Sequence, residues 1–175
     1  MEELPKRKPI RAKGFDYSEA GAYFVTICTE GRKHILSEIT TGENIYDTVG
    51  CGALDALNAP RVKLTQYGEI VEKYIISTNN IKNVNVEKYV IMPNHIHMII
   101  VVDNNGTPKA SSPTNAVIPH VISTFKRFIN REIGHPIFQR SYHDHIIRNE
   151  KDYTEIYQYI ENNPARWAED KYYQP

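Results

Sequence analysis

Cysteine is nearly absent: Cys28 and Cys51 are the only two in 175 residues, too few for a disulfide scaffold or a cysteine metal cluster. Cys28 lies in a β-branched stretch where a buried thiol is ordinary, so a reducing, intracellular setting is expected. Long apolar runs are missing as well. No stretch reaches the roughly 18–20 residues that a bilayer requires, and the charged, proline-containing N-terminus lacks the apolar segment of a secretion signal. A soluble, cytoplasmic chain with no membrane partner is the expectation. Excess charge of either sign is also lacking, with 21 Lys+Arg against 21 Asp+Glu and a pI near 7.1. The chain as a whole therefore lacks the strong basic excess that announces nucleic-acid binding. The balance is local, however. Lys6, Arg7, Lys8, Arg11 and Lys13 outweigh Glu2 and Glu3 at the start, Lys126, Arg127, Arg131 and Arg140 outweigh Glu132 further on, and the region from Glu150 onward runs acidic. The length fits one domain with a sizeable core, read as a basic arm over 1–20 followed by a single domain over 21–175.

What is present falls into clear periods. Ala22–Thr29 is β-branched and aromatic between Gly21 and Gly31, and reads as a strand. Residues 48–60 are small and without period, and read as a loop. From Thr65, Tyr67, Ile70, Val71, Tyr74 and Ile75 recur at helical spacing. Val84–Met92 and His95–Val102 form a hairpin turned at Pro93-Asn94. Residues 103–117 are polar, with Gly and Pro, and read as a long connection. Ile118, Val121, Ile122, Phe125, Ile129 and Ile133 define a second helix closed by Gly134 and Pro136. Tyr142–Arg148 reads as a strand, and Asn149 caps a third helix with Asp152 at its third position. This order predicts an α+β fold with helices packed on an antiparallel sheet.

The hairpin carries the first chemical signal. Side chains alternate across a strand, so His95 and His97 share a face, roughly 7 Å apart along the backbone, where their rings can converge on one divalent ion. Ile96 and Met98 then point into the core, leaving the histidines at its edge, within reach of water and substrate. The third helix carries the second signal. Tyr153, Ile156, Tyr157 and Ile160 form its apolar stripe, and Tyr159 sits about 100° away on the flank shared with Asp152 and Asn163. If that flank faces the histidines, Asn163 adds an oxygen ligand and the Tyr159 phenol becomes a nucleophile beside a Lewis acid.

His95-Ile96-His97 after Met92-Pro93-Asn94, joined downstream by Arg148–Tyr153 and by Tyr159-Ile160-Glu161-Asn162-Asn163-Pro164, resembles the single-tyrosine HUH transposases of bacterial insertion sequences. The spacing from tyrosine to Asn-Pro looks most like their domesticated relatives, the REP-associated tyrosine transposases. The match runs from about Gly21 to Arg166, leaving residues 40–62 and the extreme termini aside. The resemblance implies a ferredoxin-like α+β HUH domain that is a metal-dependent single-stranded DNA transposase or endonuclease, cleaving and rejoining DNA near hairpins through a 5′-phosphotyrosine. It implies Tyr159 as nucleophile, His95, His97 and Asn163 as ligands of Mg²⁺ or Mn²⁺, and single-stranded hairpin DNA as partner, with the protein a monomer or homodimer. The basic residues Lys6, Arg7, Lys8, Arg11, Lys126, Arg127 and Arg131 are the expected DNA contacts.

Two other readings compete. His143 and His145 form a second His-X-His pair that, with the first, could complete a tetrahedral Zn²⁺ site, although structural zinc sites more often contain cysteine. A non-catalytic hairpin-binding module could instead use Lys126, Arg127 and Arg131 with exposed tyrosines as stacking platforms. That second alternative leaves the joint spacing of two histidines, a tyrosine and an asparagine unexplained.

Overall fold

The computed structural model describes residues 20–40, 60–103 and 117–173. Lys6, Arg7, Lys8 and Arg11, and nearly all of the loop read over 48–60 and of the 103–117 connection, lie outside these residues. The elements are β1 (Gly21–Cys28), β2 (Ser37–Thr40), β3 (Arg61–Leu64), α1 (Gln66–Thr78), β4 (Val84–Met92), β5 (His95–Val102), α2 (Val117–Ile133), β6 (His143–Ile147) and α3 (Glu150–Asn162). A short 3-10 helix, Pro164–Glu169, follows.

Four strands pair in the order β4-β5-β1-β6, with antiparallel partners throughout. Without the small β2–β3 pair, the chain order from β1 to β6 is βαββαβ, the ferredoxin-like arrangement expected from the sequence. Tyr23, Val25, Ile27, Ile96, Met98 and Ile100 face one way and meet Val71 and Ile75 of α1 and Ile118, Val121, Ile122, Phe125 and Ile129 of α2 in one buried cluster. The opposite face carries the histidines and is covered by α3. Burial on both faces explains why β5 reads as a nearly continuous apolar run.

Local chemistry sets the element ends. The Thr65 hydroxyl accepts from Gly68 N at 3.2 Å and reaches the carbonyls of Ile35 and Leu36, capping α1 while tying it to the preceding chain. Gly68 lies against the Leu36 carbonyl so closely that a Cβ would run into it. Asn149 accepts from Asp152 N at 2.9 Å, as the cap reading requires, and α2 gives way to Gly134 at φ +90°. Pairing of Ser37–Thr40 with Arg61–Leu64 was not foreseen. Each strand has four residues, too few for a period to register.

Candidate active site

The β5 register places His95 beside Cys28 and His97 beside Thr26 of β1. The two imidazoles converge, with ring centroids 4.5 Å apart. Their setting differs from the expected core edge: both are completely buried. Trp167 and Tyr172, from the segment after α3, lie against His95, and Phe24 stacks on His97 at 5.1 Å. A covering supplied by the non-periodic C-terminal segment leaves no pattern for a sequence reading to find.

Neighbours fix the nitrogen that each ring presents. Asn94, fully buried at the hairpin turn, donates its amide to the Tyr172 carbonyl at 2.7 Å. Its carbonyl oxygen is thereby turned to His95 Nδ1, 2.8 Å away, which must carry the proton. Nε2 is then a lone-pair nitrogen, buried and without a hydrogen-bond partner. The Thr26 hydroxyl holds His97 Nδ1 at 2.8 Å and turns Nε2 toward Tyr159. Partners on the second nitrogen orient metal-binding histidines in this way. Asn94 reads from sequence as a turn former, and its second role depends on a carbonyl 78 residues away.

Burial holds both rings neutral, the form that binds metal. It pushes His95 down to about 4. His97 is held well below its ordinary value by burial first and by His95 second.

Asn163 ends α3 on the flank predicted from helical geometry, with its carbonyl oxygen buried and unpartnered. Its amide nitrogen donates to Asp170 Oδ2 at 3.0 Å. Asp170 was missed by the sequence reading. It follows the Pro164–Glu169 turn, next to an equally acidic Glu169, and nothing in the local pattern distinguishes the two. One ligand atom from each of His95, His97 and Asp170 falls within 4.8 Å of the others, the only such group of acid, histidine or cysteine side chains among the described residues. Buried orphan donors, two imidazoles and a carboxylate fit a divalent cation.

Tyr159 joins this cluster. Its hydroxyl donates to Asp170 Oδ2 at 3.2 Å and lies 3.3 Å from His97 Nε2. The residue is 39% exposed while its hydroxyl touches the buried centre, so Tyr159 joins that centre to solvent. Burial, then the Asp170 carboxylate, pushes its pKa well above the ordinary tyrosine value. Without a compensating positive charge, this phenol keeps its proton.

Tyr153 and Tyr157, expected in the core, are half-buried. Tyr153 donates to Glu87 at 2.7 Å and Lys88 lies over the Tyr157 ring at 4.3 Å, so both face β4 rather than the histidines. His145 pairs with Asp152 at 2.9 Å and lies outside the His95 cluster, so the four-histidine zinc site does not form. On α2, the Lys126 ammonium donates to the carbonyls of Gln139, Arg140 and Ser141 at 2.8, 3.4 and 3.0 Å. Arg127 and Arg131 are exposed, on a helix that packs against the sheet face opposite Tyr159.

No family model matches the chain. A Haemophilus influenzae protein described as uncharacterized is 30% identical over 185 residues, spanning 95% of this chain and 93% of that one. Among solved structures, a REP-associated tyrosine transposase bound to a REP hairpin superposes with a TM-score of 0.56 at 19% identity, covering 98% of this chain and 77% of that one. A candidate transposase from Deinococcus radiodurans reaches a TM-score of 0.45 at 14% identity, over 87% of this chain and 97% of that one, too distant a likeness to argue from.

Proposed function

We propose, for a chain that belongs to the same family as the Haemophilus influenzae protein and has the fold of a REP-associated tyrosine transposase, that it is a metal-dependent enzyme cutting and rejoining single-stranded DNA beside a hairpin. The observation that carries this reading is the contact of Tyr159 Oη with both His97 and Asp170, at the solvent-facing edge of a buried two-histidine centre. A half-exposed phenol touching metal-ligating groups suits a nucleophile better than a packing residue.

His95, His97 and Asn163 would hold the cation, Mg²⁺ or Mn²⁺, with the Asp170 carboxylate as a fourth donor available to it. When bound, a divalent cation there polarises the scissile phosphate and offsets the negative charge that otherwise keeps the phenol protonated. Asp170 accepts the Tyr159 hydroxyl and orients it. The Tyr159 oxygen then releases its proton to solvent at its exposed edge and forms a bond to phosphorus as the bond from phosphorus to the 3′ oxygen breaks. The electron pair leaves with that oxygen, which takes up a proton, giving a 5′-phosphotyrosine and a free 3′-hydroxyl. Because the phosphodiester is conserved in the adduct, attack by a 3′-hydroxyl reverses the step and joins strands without a nucleotide cofactor. Asn94 and Thr26 keep the imidazoles turned to the site throughout.

The test uses a pool of single-stranded oligonucleotides carrying stem-loops with randomised stems and flanks, incubated with Mn²⁺, Mg²⁺ or a chelator. The wild-type protein should form a protein–DNA adduct that survives denaturation, in the presence of metal alone. Tyr159→Phe should bind metal and DNA without forming it, and His95→Ala should fold without cleaving. An adduct that persists in Tyr159→Phe rules the mechanism out.

A further inference from the structure

We propose that Glu87 and Lys88, side by side at a bulge in β4, are positioning residues: they grip one flank of α3 and fix its rotation, so that Tyr159 on the other flank meets the scissile phosphate. This rests on the reading of Tyr159 as nucleophile and adds to it what holds the attacking oxygen in line.

For a helix that carries an attacking group, α3 is thinly packed. Ile160 is its one fully buried residue, and a single apolar anchor does little to stop a helix turning about its axis. At ~100° per residue, Tyr153, Tyr157 and Glu161 form a stripe on one side of Ile160, while Asp152, Tyr159 and Asn163 form a stripe on the other. Side-chain tips lie roughly 5–6 Å from a helix axis, so a turn of about 20° carries them about 2 Å. Misplacement by about 1 Å can slow a reaction about a hundredfold. Rotation of α3 is therefore the coordinate that the fold has to control.

The bulge supplies that control. Val86 pairs with Ile100 and Lys88 with Ile99, so Glu87 is an extra residue in the ladder. In a regular strand Val86 and Lys88 would share a face. Here Val86 belongs to the core cluster with residues of α1 and α2, while Lys88 lies over the Tyr157 ring at 4.3 Å and reaches Glu161 at 3.2 Å. Glu87 accepts from the Tyr153 hydroxyl at 2.7 Å. Two consecutive side chains thus meet the same flank of one helix, which strand alternation forbids and a bulge allows. On the other flank Asp152 meets His145 of β6 at 2.9 Å, so α3 is fastened to both edge strands of the sheet. The contribution is geometric, because a partly exposed pair such as Lys88–Glu161 adds little to stability.

The experiment follows single-turnover adduct formation with Mn²⁺ and a saturating stem-loop that wild-type protein selects from the pool, with stem-loop affinity measured in parallel. Glu87→Ala and Lys88→Ala each leave the other contact in place, so each should react within about threefold of wild type. The double variant should lose about tenfold or more in rate constant, with final adduct yield and stem-loop affinity unchanged. Combined with Glu87→Ala, Lys88→Arg keeps a cation over the Tyr157 ring and should hold the rate that Lys88→Ala loses. A double variant that reacts at the wild-type rate overturns the positioning role and leaves Tyr159 as nucleophile. Loss of yield at an unchanged rate constant overturns it too, since fewer folded molecules rather than a misaimed phenol would then be the cause. No adduct on Tyr159 of the wild-type protein from any member of the pool overturns the nucleophile reading first.

Discussion

His95 owes its reactivity to what its neighbours deny it. Asn94 Oδ1 accepts a hydrogen bond from Nδ1–H, burial removes water, and Nε2 is left with a lone pair and no partner. Its pKa falls from 6.5 to about 4, so between those values the unfolded chain binds a proton that the folded protein refuses. Stability therefore rises with pH across that window and is lost as pH falls from 6.5 toward 4. A shift of this size corresponds to about 3 kcal/mol. Urea midpoints of the metal-free protein should drop across this interval, and less steeply in His95→Ala; an unchanged slope in that variant would mean the ring is not buried neutral. The tyrosines of α3 divide by the same local logic. Tyr153→Phe and Tyr157→Phe remove hydroxyls that face β4 and solvent, so each should keep adduct formation within a few-fold while costing about 1 kcal/mol or less in stability. Loss of the adduct in either variant would mean that the wrong flank of the helix has been assigned to chemistry.

At the level of elements, legibility followed periodicity. The β4–β5 hairpin and both sheet-packing helices could be read because apolar residues recur at two or at three to four positions, and the cap at Asn149 marks a helix start by side-chain chemistry. Helical geometry also put Tyr159 and Asn163 on one flank, and the structure brings both to Asp170. Asp170 itself, with Trp167 and Tyr172, comes from a turn without period, so nothing before the fold was known could place it over the histidines. Charge counting told less than position. Lys126 belongs to a basic cluster in sequence, yet desolvation lowers its pKa to about 8 and its ammonium ties α2 to the carbonyls of 139–141. Lys126→Met should cost about 1–3 kcal/mol, because those carbonyls lose their donor, and leave DNA affinity unchanged in a filter-binding assay. A variant of normal stability that binds DNA weakly would return Lys126 to the DNA-binding surface. Gly68→Ala, forcing a Cβ against the Leu36 carbonyl, should cost about 1–3 kcal/mol by the strain of overpacking, read from thermal unfolding.

Across the whole molecule, the sheet separates two tasks. One face is closed by α1 and α2 and holds the core, while the other carries the histidine centre under α3 and the C-terminal turn. Nucleic acid brought to Tyr159, as proposed, would meet a surface of mixed charge, and the basic arm at the chain's start is the proposed source of sequence-independent attraction. Neutralising Lys6, Arg7 and Lys8 should weaken binding to single-stranded stem-loops and lower the salt slope by roughly 0.7 for each phosphate that is no longer neutralised; unchanged affinity and slope would exclude the arm. The central claim is that one of twelve tyrosines forms the covalent link, and peptide mapping tests it most directly. Intact protein is allowed to react with the stem-loop pool and Mn²⁺, the adduct is digested with nuclease and protease, and the nucleotide-bearing peptide is located by tandem mass spectrometry. A 5′-phosphonucleotide on Tyr159 and on no other tyrosine is the predicted result, and the same modification on Tyr153, Tyr157 or any residue away from His97 and Asp170 would contradict it.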